Sequence, residues 1–386
     1  MVNGQRPMVN GRSPVVLSSR HLVIPSSCHL VTPLILSSSH RARHMTDDLT
    51  TAIHTYLTTA PASGFAGQEV RVVDAWRGSD NLLWRIDAGG EDAIVKLYLD
   101  AGQARGRRQL DGQRVFAPLS LAPEPLWFDR YPDGLARQVL VYRWAAGRNA
   151  SAGNRDDLAA LAAGAAAIHN HDASTVRRIS PHAINLNYFW RILAGGLTPA
   201  LRWLEEAGCP RMADLVRAME TSASALVADT SPLWQDSLPA PIHGDLQLEH
   251  ALIQGSRVRL LDWELFGLGD PALEIATFLH RERALPGSAE HKHFLASYLA
   301  HRDDAALAAR IAVYDRILPL SDLAFLIDGV RKLSPAERAS AEFASTVPDL
   351  GNLLRRATDD ALAALALADW SAVAADEIDL LLKPNP

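Results

Sequence analysis

Two aspartates, Asp245 in "PIHGDLQLEHALI" (241–253) and Asp262 in "LLDWELFGLGDP" (260–271), have the types and spacing for chemistry. Between them "HALIQGSRVRLLDWE" (250–264) reads as two short strands around the turn "QGS". That hairpin puts Asp245 just before its first strand and Asp262 at the end of its second, so the carboxylates should lie near one another. Phosphoryl transfer needs this geometry: one carboxylate to orient the attacking hydroxyl, another to hold magnesium on nucleotide phosphates. In the kinase template a histidine stands two residues before the base, a metal ligand follows five residues after it, and a second aspartate comes later. Here the corresponding residues are His243, Asp245, His250 and Asp262.

The elements that must position them fall into two regions. "EVRVVDAW", "NLLWRIDA" and "DAIVKLYL", separated by the turn-forming "RGSD" and "GGE", predict three antiparallel strands over 69–99. A short helix carrying Gly106 and Gly112 follows within 101–117, and "RQVLVYRW" (137–144) predicts another strand. Beyond it, Asn154 with Asp156 and Asp157 marks a helix start, and Leu158, Leu161, Ala165 and Ile168 keep a helical period. Further helices are expected over 211–228, 288–313 and 350–383. His169, ending the helix that Asn154 opens, reads as a partner for the helix dipole.

With these motifs in place, the chain resembles the aminoglycoside phosphotransferase and choline kinase-like family, small-molecule kinases with the protein-kinase fold. The resemblance covers roughly 65–285 and is most specific in "HGDLQLEHALI" and "LLDWELFGLGDPALEIA". It implies an α+β, two-lobed fold, with a nucleotide-binding lobe at 45–144 and a helical catalytic and substrate lobe at 145–386. It implies Asp245 as catalytic base, His243 as buttress of its loop, and Asp262 with His250 as magnesium ligands. It also implies a nucleotide loop at Gly78 and Asn81, a phosphate-pairing lysine at Lys96, and an adenine hinge whose backbone at Tyr142 to Trp144 contacts the base. ATP, with GTP possible, and Mg2+ are the implied cofactors, and a small-molecule hydroxyl is the acceptor.

Two departures stand out. His250 occupies a position that is usually Asn in the family, though macrolide-phosphorylating relatives also carry His there. The stretch 97–123 has no Glu to pair with Lys96, leaving Asp111 as the expected partner. These departures support an alternative, a non-catalytic nucleotide-binding module of the pseudokinase type.

The whole chain narrows the classes further. Its formal net charge is −6, and no basic face interleaved with aromatics is evident, which argues against nucleic acid. The two cysteines, Cys28 and Cys209, form no disulfide framework or zinc spacing and favour a reducing, cytoplasmic compartment. No uninterrupted apolar run is long enough to predict a membrane span. Residues 1–44 contain no Asp, Glu or Lys but five Arg, and read as a disordered or mis-assigned extension. Thr46, followed by Asp47 and Asp48, is then expected to cap the first helix.

Overall fold

Apolar residues recurring at Ile53, Tyr56 and Leu57 give helix α1 (Ala42–Thr59) one buried face, continued by Ala60 just past its end. The computed structural model describes residues 42–78, 80–100, 104–282, 288–367 and 375–383. The expected N-terminal extension therefore lies outside the described residues, apart from its last three. Those three belong to α1, so the helix begins ahead of Thr46, and Thr46 is not its cap. The stretch Ala42 to Met45 has enough intrinsic helix preference to continue the helix upstream.

Three hairpin-linked strands follow: β1 (Val70–Arg77), β2 (Asn81–Ala88) and β3 (Glu91–Tyr98). Next come α2 (Arg105–Phe116), β4 (Pro125–Asp129) and β5 (Val139–Arg143), closing an antiparallel sheet of order β1-β2-β3-β5-β4. Strand alternation sorts its two faces. Leu82, Trp84 and Ile86 of β2, with Val95 and Leu97 of β3, pack with α1. Ile94 and Tyr98 lie on the opposite face with Leu110 of α2 and with Leu140 and Tyr142 of β5. By the same period Lys96 belongs to this second face. Strand β4 was not legible as a strand beforehand; its pairing with β5 is interrupted by a register shift between Pro125 and Trp127.

The rest is mainly helical: β6 (Arg148–Asn149), α3 (Arg155–His169), α4 (Leu186–Glu206) and α5 (Pro210–Thr230). Asn154 caps α3 as expected, its side chain accepting from the N–H groups of Asp156 and Asp157. Then come β7 (Ala240–Ile242), β8 (Ala251–Gln254), β9 (Arg257–Leu260) and β10 (Gly267–Gly269). The predicted hairpin is β8–β9, extended by β6, while β7 pairs with β10. Helices α6 (Pro271–Arg281), α7 (Ser288–Leu299), α8 (Leu307–Lys332), α9 (Pro335–Arg338), α10 (Ala341–Ala364) and α11 (Ala375–Leu381) complete the chain. The stretch 288–313 is thus two helices, because Asp304 turns the backbone between them by accepting the Ala306 N–H (3.2 Å). Helix α8 packs against α4, α6 and α10 and anchors this half. Among the described residues, no helix is long and apolar enough to cross a membrane.

Candidate active site

The hairpin β8–β9 does what its sequence suggested. The Asp245 loop enters it between β7 and β8, and Asp262 leaves it just after β9.

Asp245 is held from several sides. Its Oδ1 accepts from Arg281 Nη1 (2.7 Å) and Gln247 Nε2 (2.8 Å). His250 Nδ1 lies 3.0 Å from the Asp245 carbonyl oxygen and 3.5 Å from Oδ2. Burial alone would raise this carboxyl, but His250 and Arg281 outweigh it and hold Asp245 below the usual carboxylate value. His250 is the mirror case: burial would lower it, and the carboxylates of Asp245 and Asp262 raise it.

His243 is fully buried. Its Nδ1 accepts the Asp245 N–H (3.2 Å), so Nε2 must carry the proton it donates to Leu261 O (2.8 Å). A neutral ring fits both bonds, and burial indeed lowers its pKa. This ring ties the loop to the strand leading into Asp262. Gly244 sits at φ +90°, and a Cβ there would stand 2.4 Å from Leu265 O, so both conformation and space call for glycine. The N–H groups of His243 and Gly244 both donate to Glu274 on α6. Glu274 in turn meets His169 Nε2 (2.6 Å), whose Nδ1 meets Tyr298 OH (2.7 Å). His169 is therefore a buried brace behind the loop rather than only a partner of its own helix dipole. His182 adds a second brace through Nε2 on Gly244 O (2.5 Å).

Asp262 has left-handed backbone, φ 61° and ψ 62°. Such a conformation is uncommon for a non-glycine residue and concentrates at functional turns. It is followed by the turn Trp263–Leu265, whose Trp263 is fully buried and stacks on Phe116 of α2 (4.9 Å, 17°). The turn brings Asp262 Oδ1 and Glu264 Oε1 to Lys96 Nζ, at 2.8 and 2.6 Å. Burial would disfavour the Lys96 ammonium, but Asp262 and Glu264 keep it charged, well above its ordinary value. The two acids share this cation unequally. Lys96 and His250 overcome burial to pull Asp262 far down, whereas burial and then Asp262 itself push Glu264 up.

This corrects the expected partner of Lys96. Asp111 is paired instead with Arg107 (3.2 Å) and Arg178 (3.0 Å). On α2 it is Gln109, two residues earlier and on the buried face, that accepts from Lys96 Nζ (3.0 Å). The acid comes from Glu264, which the sequence displayed in "DWE" but whose reach depends on the left-handed turn at Asp262. Arg105 also pairs with Glu264 (3.2 Å) and with Asp80 (2.8 Å). Asn81 Nδ2 donates to Glu264 Oε1 (3.0 Å), and Gly78 closes its turn by donating to Asn81 O (2.9 Å).

Tyr142 and Trp144 line a cavity of about 680 Å3, together with Leu83, Ile94, Leu252, Leu261 and His250. The Trp144 ring lies 6.3 Å from that of Trp76 at 10°, with the Arg85 guanidinium 4.3 Å from its centroid. Of the expected backbone contacts, the N–H groups of Arg143 and Trp144 are already given to Glu124 O and Asp92 O (both 2.9 Å), so they are not free to meet a base.

A divalent ion can be tested against this donor set. Among the described residues, no group of three or more His, Cys, Asp or Glu side chains could hold a metal. Magnesium commonly takes one or two carboxylates and completes its shell with phosphate and water. Asp262, ionised and with 29% of its side chain exposed, fits that role.

Comparison with known proteins agrees with this architecture. Residues 72–312, well over half of the chain, match the phosphotransferase enzyme family, APH. No curated protein matches significantly in sequence. Among solved structures, a thermostable mutant of aminoglycoside phosphotransferase APH(4)-Ia, in ternary complex with AMP-PNP and hygromycin B, is 18% identical. It covers 82% of this chain and 98% of its own, with a TM-score of 0.52. A choline/ethanolamine kinase family protein from Mesorhizobium loti is 18% identical, covering 83% and 99%, at 0.51. Spectinomycin phosphotransferase APH(9)-Ia, in complex with ADP and spectinomycin, is 11% identical, covering 76% and 92%, at 0.50. At these identities the likeness is one of fold: α+β, protein-kinase-like and two-lobed. The chain belongs to the phosphotransferase enzyme family, APH.

Proposed function

We propose that this protein transfers the γ-phosphoryl group of magnesium-bound ATP, or GTP, to a hydroxyl of a small molecule. The observation that carries the reading is the juxtaposition at the open end of hairpin β8–β9: a buttressed Asp245 ahead of β8 and an ionised Asp262, joined to Lys96, just after β9. The cavity lined by His250 and Leu261, next to them in the chain, has the size of a nucleotide site.

In this mechanism Asp245 takes the acceptor hydroxyl on the carboxylate oxygen that Arg281 and Gln247 leave, and aims it at the phosphorus. His243 holds the loop that carries Asp245. Lys96 neutralises phosphate charge. Asp262 and His250 Nε2 would hold magnesium, which when bound offsets the charge spread over the transferring group. His250 Nδ1 is directed at the Asp245 carbonyl, which leaves Nε2, once it has given up its proton, as the atom able to ligate the metal. The walls at Tyr142 and Trp144 receive the base. The structural neighbours in complex with AMP-PNP and with ADP support a nucleoside triphosphate as donor. The acceptor class is an antibiotic such as a macrolide or aminoglycoside, or a metabolite such as choline or a sugar, with His250 favouring a macrolide-like subgroup.

The non-catalytic alternative loses much of its ground, because Glu264 supplies the carboxylate that 97–123 lacks. The test is nucleoside diphosphate release across a panel of macrolides, aminoglycosides, choline and sugars, with Asp245→Asn alongside. Release stimulated by one acceptor class and lost in the variant is expected. Stimulated release that persists in the variant would remove Asp245 from its role.

A further inference from the structure

On the far side of α2 from Lys96 lies an open cavity of about 340 Å3 that the proposed reaction does not use. Its walls carry Arg107, Arg114, Arg177 and Arg178, against one carboxylate, Asp111. Arg107, Asp111 and Arg114 fall at helical spacing on one face of α2. Arg177 and Arg178 come from the extended stretch after the turn Ala173–Thr175. Asp111 already accepts from both Arg107 and Arg178, so a single negative charge serves two guanidinium groups. Among the described residues, Arg114 and Arg177 are exposed and have no ion-pair partner. Crowding extends to Arg108: burial and then Arg178 lower its pKa. The floor is apolar, formed by Val115, Val176 and Phe266.

We propose that this cavity binds a small anion carrying a phosphate group or its equivalent. Four guanidinium groups around one acid are poorly compensated, and in a chain of net charge −6 such a cluster is a local exception. Arginine forks match phosphate oxygens two at a time, a geometry lysine does not offer. The volume is that of a small-ligand pocket rather than of a macromolecular surface. The apolar floor suits the organic part of a phosphate ester. The site is independent of the proposed reaction, since Lys96 and Asp262 lie on the opposite face of α2.

The test is calorimetric titration of the full chain with inorganic pyrophosphate, inorganic phosphate and phenyl phosphate, each with and without ADP. Binding that ADP leaves unchanged is expected, and it should weaken at least about tenfold in Arg114→Ala/Arg177→Ala, because two charge-assisted bonds to the anion are lost together. Both side chains are exposed, so an unchanged thermal melt verifies the fold of the variant. Phenyl phosphate binding more tightly than inorganic phosphate would identify an organic ester; the reverse order would identify the free ion. The absence of binding at millimolar anion would overturn the proposal. So would binding that the double variant retains, or binding that ADP displaces, which would place the anion in the main cleft.

Discussion

The Asp245 loop and the Lys96 cluster flank the same open end of hairpin β8–β9, yet they are held in different ways. The loop is fastened mainly through its backbone: Glu274 takes two N–H groups, His182 takes the Gly244 carbonyl, and His243 takes the Asp245 N–H. The cluster is fastened by charged side chains that satisfy one another, Lys96 with Asp262 and Glu264, and Glu264 with Arg105. Backbone fastening survives ligand exchange, whereas side-chain pairs can be remade when phosphates and magnesium enter. The first region suits a group whose position must not drift; the second suits groups that change partners during binding.

The largest effect should come from the loop's own carboxylate. Asp245→Asn is expected to lower turnover about a hundredfold to ten-thousandfold with little change in nucleotide affinity, as steady-state rates and titration would reveal. Next is the brace. Glu274→Ala leaves His169 Nε2 and two backbone donors without a partner, and chemical denaturation should find a loss of about 3–5 kcal/mol. Asp262 and Lys96 should tolerate disturbance of their pairing better in stability than in nucleotide binding.

Close packing between α2 and the turn after Asp262 gives a smaller effect. A Cβ on Gly112 would lie 2.8 Å from the Trp263 ring. Gly112→Ala should therefore cost about 1–3 kcal/mol of overpacking, outweighing the roughly 1 kcal/mol that alanine gains in a helix. Thermal and denaturant melts would measure it.

The pH dependence of the brace comes next. Burial would raise Glu274, but His169, His243 and the Gly244 N–H outweigh it and hold its pKa below the ordinary 4.5. A depressed folded pKa means that stabilisation is present above about 4.5 and is lost as pH falls through the lower folded value. The stability gap between the wild type and Glu274→Gln should accordingly shrink below that pH in acid melts. The smallest effect belongs to Asp111→Asn: its pairs are partly exposed, so about 0–1 kcal/mol and unchanged turnover are expected. A large loss of turnover there would restore Asp111 to the cleft.

The same contrast explains what could be read in advance. The Asp245 loop, the hairpin and Asp262 are local in sequence, and turn chemistry with strand alternation made them legible. The fold class followed from the three strands, the helix start at Asn154 and the family motif. What stayed hidden depends on distant contacts. His169 and Glu274 are 105 residues apart, and Arg281 lies 36 residues beyond Asp245. Glu264 was in plain view beside Asp262, but only the left-handed backbone at Asp262 turns it towards Lys96. Asp111 was misplaced because helix position alone does not say which face meets the sheet; Gln109 has the buried face and Asp111 the groove. The backbone donors of Arg143 and Trp144 were misjudged because their neighbours, Glu124 and Asp92, consume them.

In the proposed reaction Asp262 and Lys96 exchange their mutual contact for a magnesium nucleotide. Titration of a non-hydrolysable ATP analogue, with and without magnesium, tests it most directly in the wild type and in Asp262→Asn. Magnesium is expected to tighten binding by at least about tenfold, roughly 1.4 kcal/mol, in the wild type and to do nothing in the variant. Affinity indifferent to magnesium in the wild type would contradict the account and favour a nucleotide-binding module without chemistry.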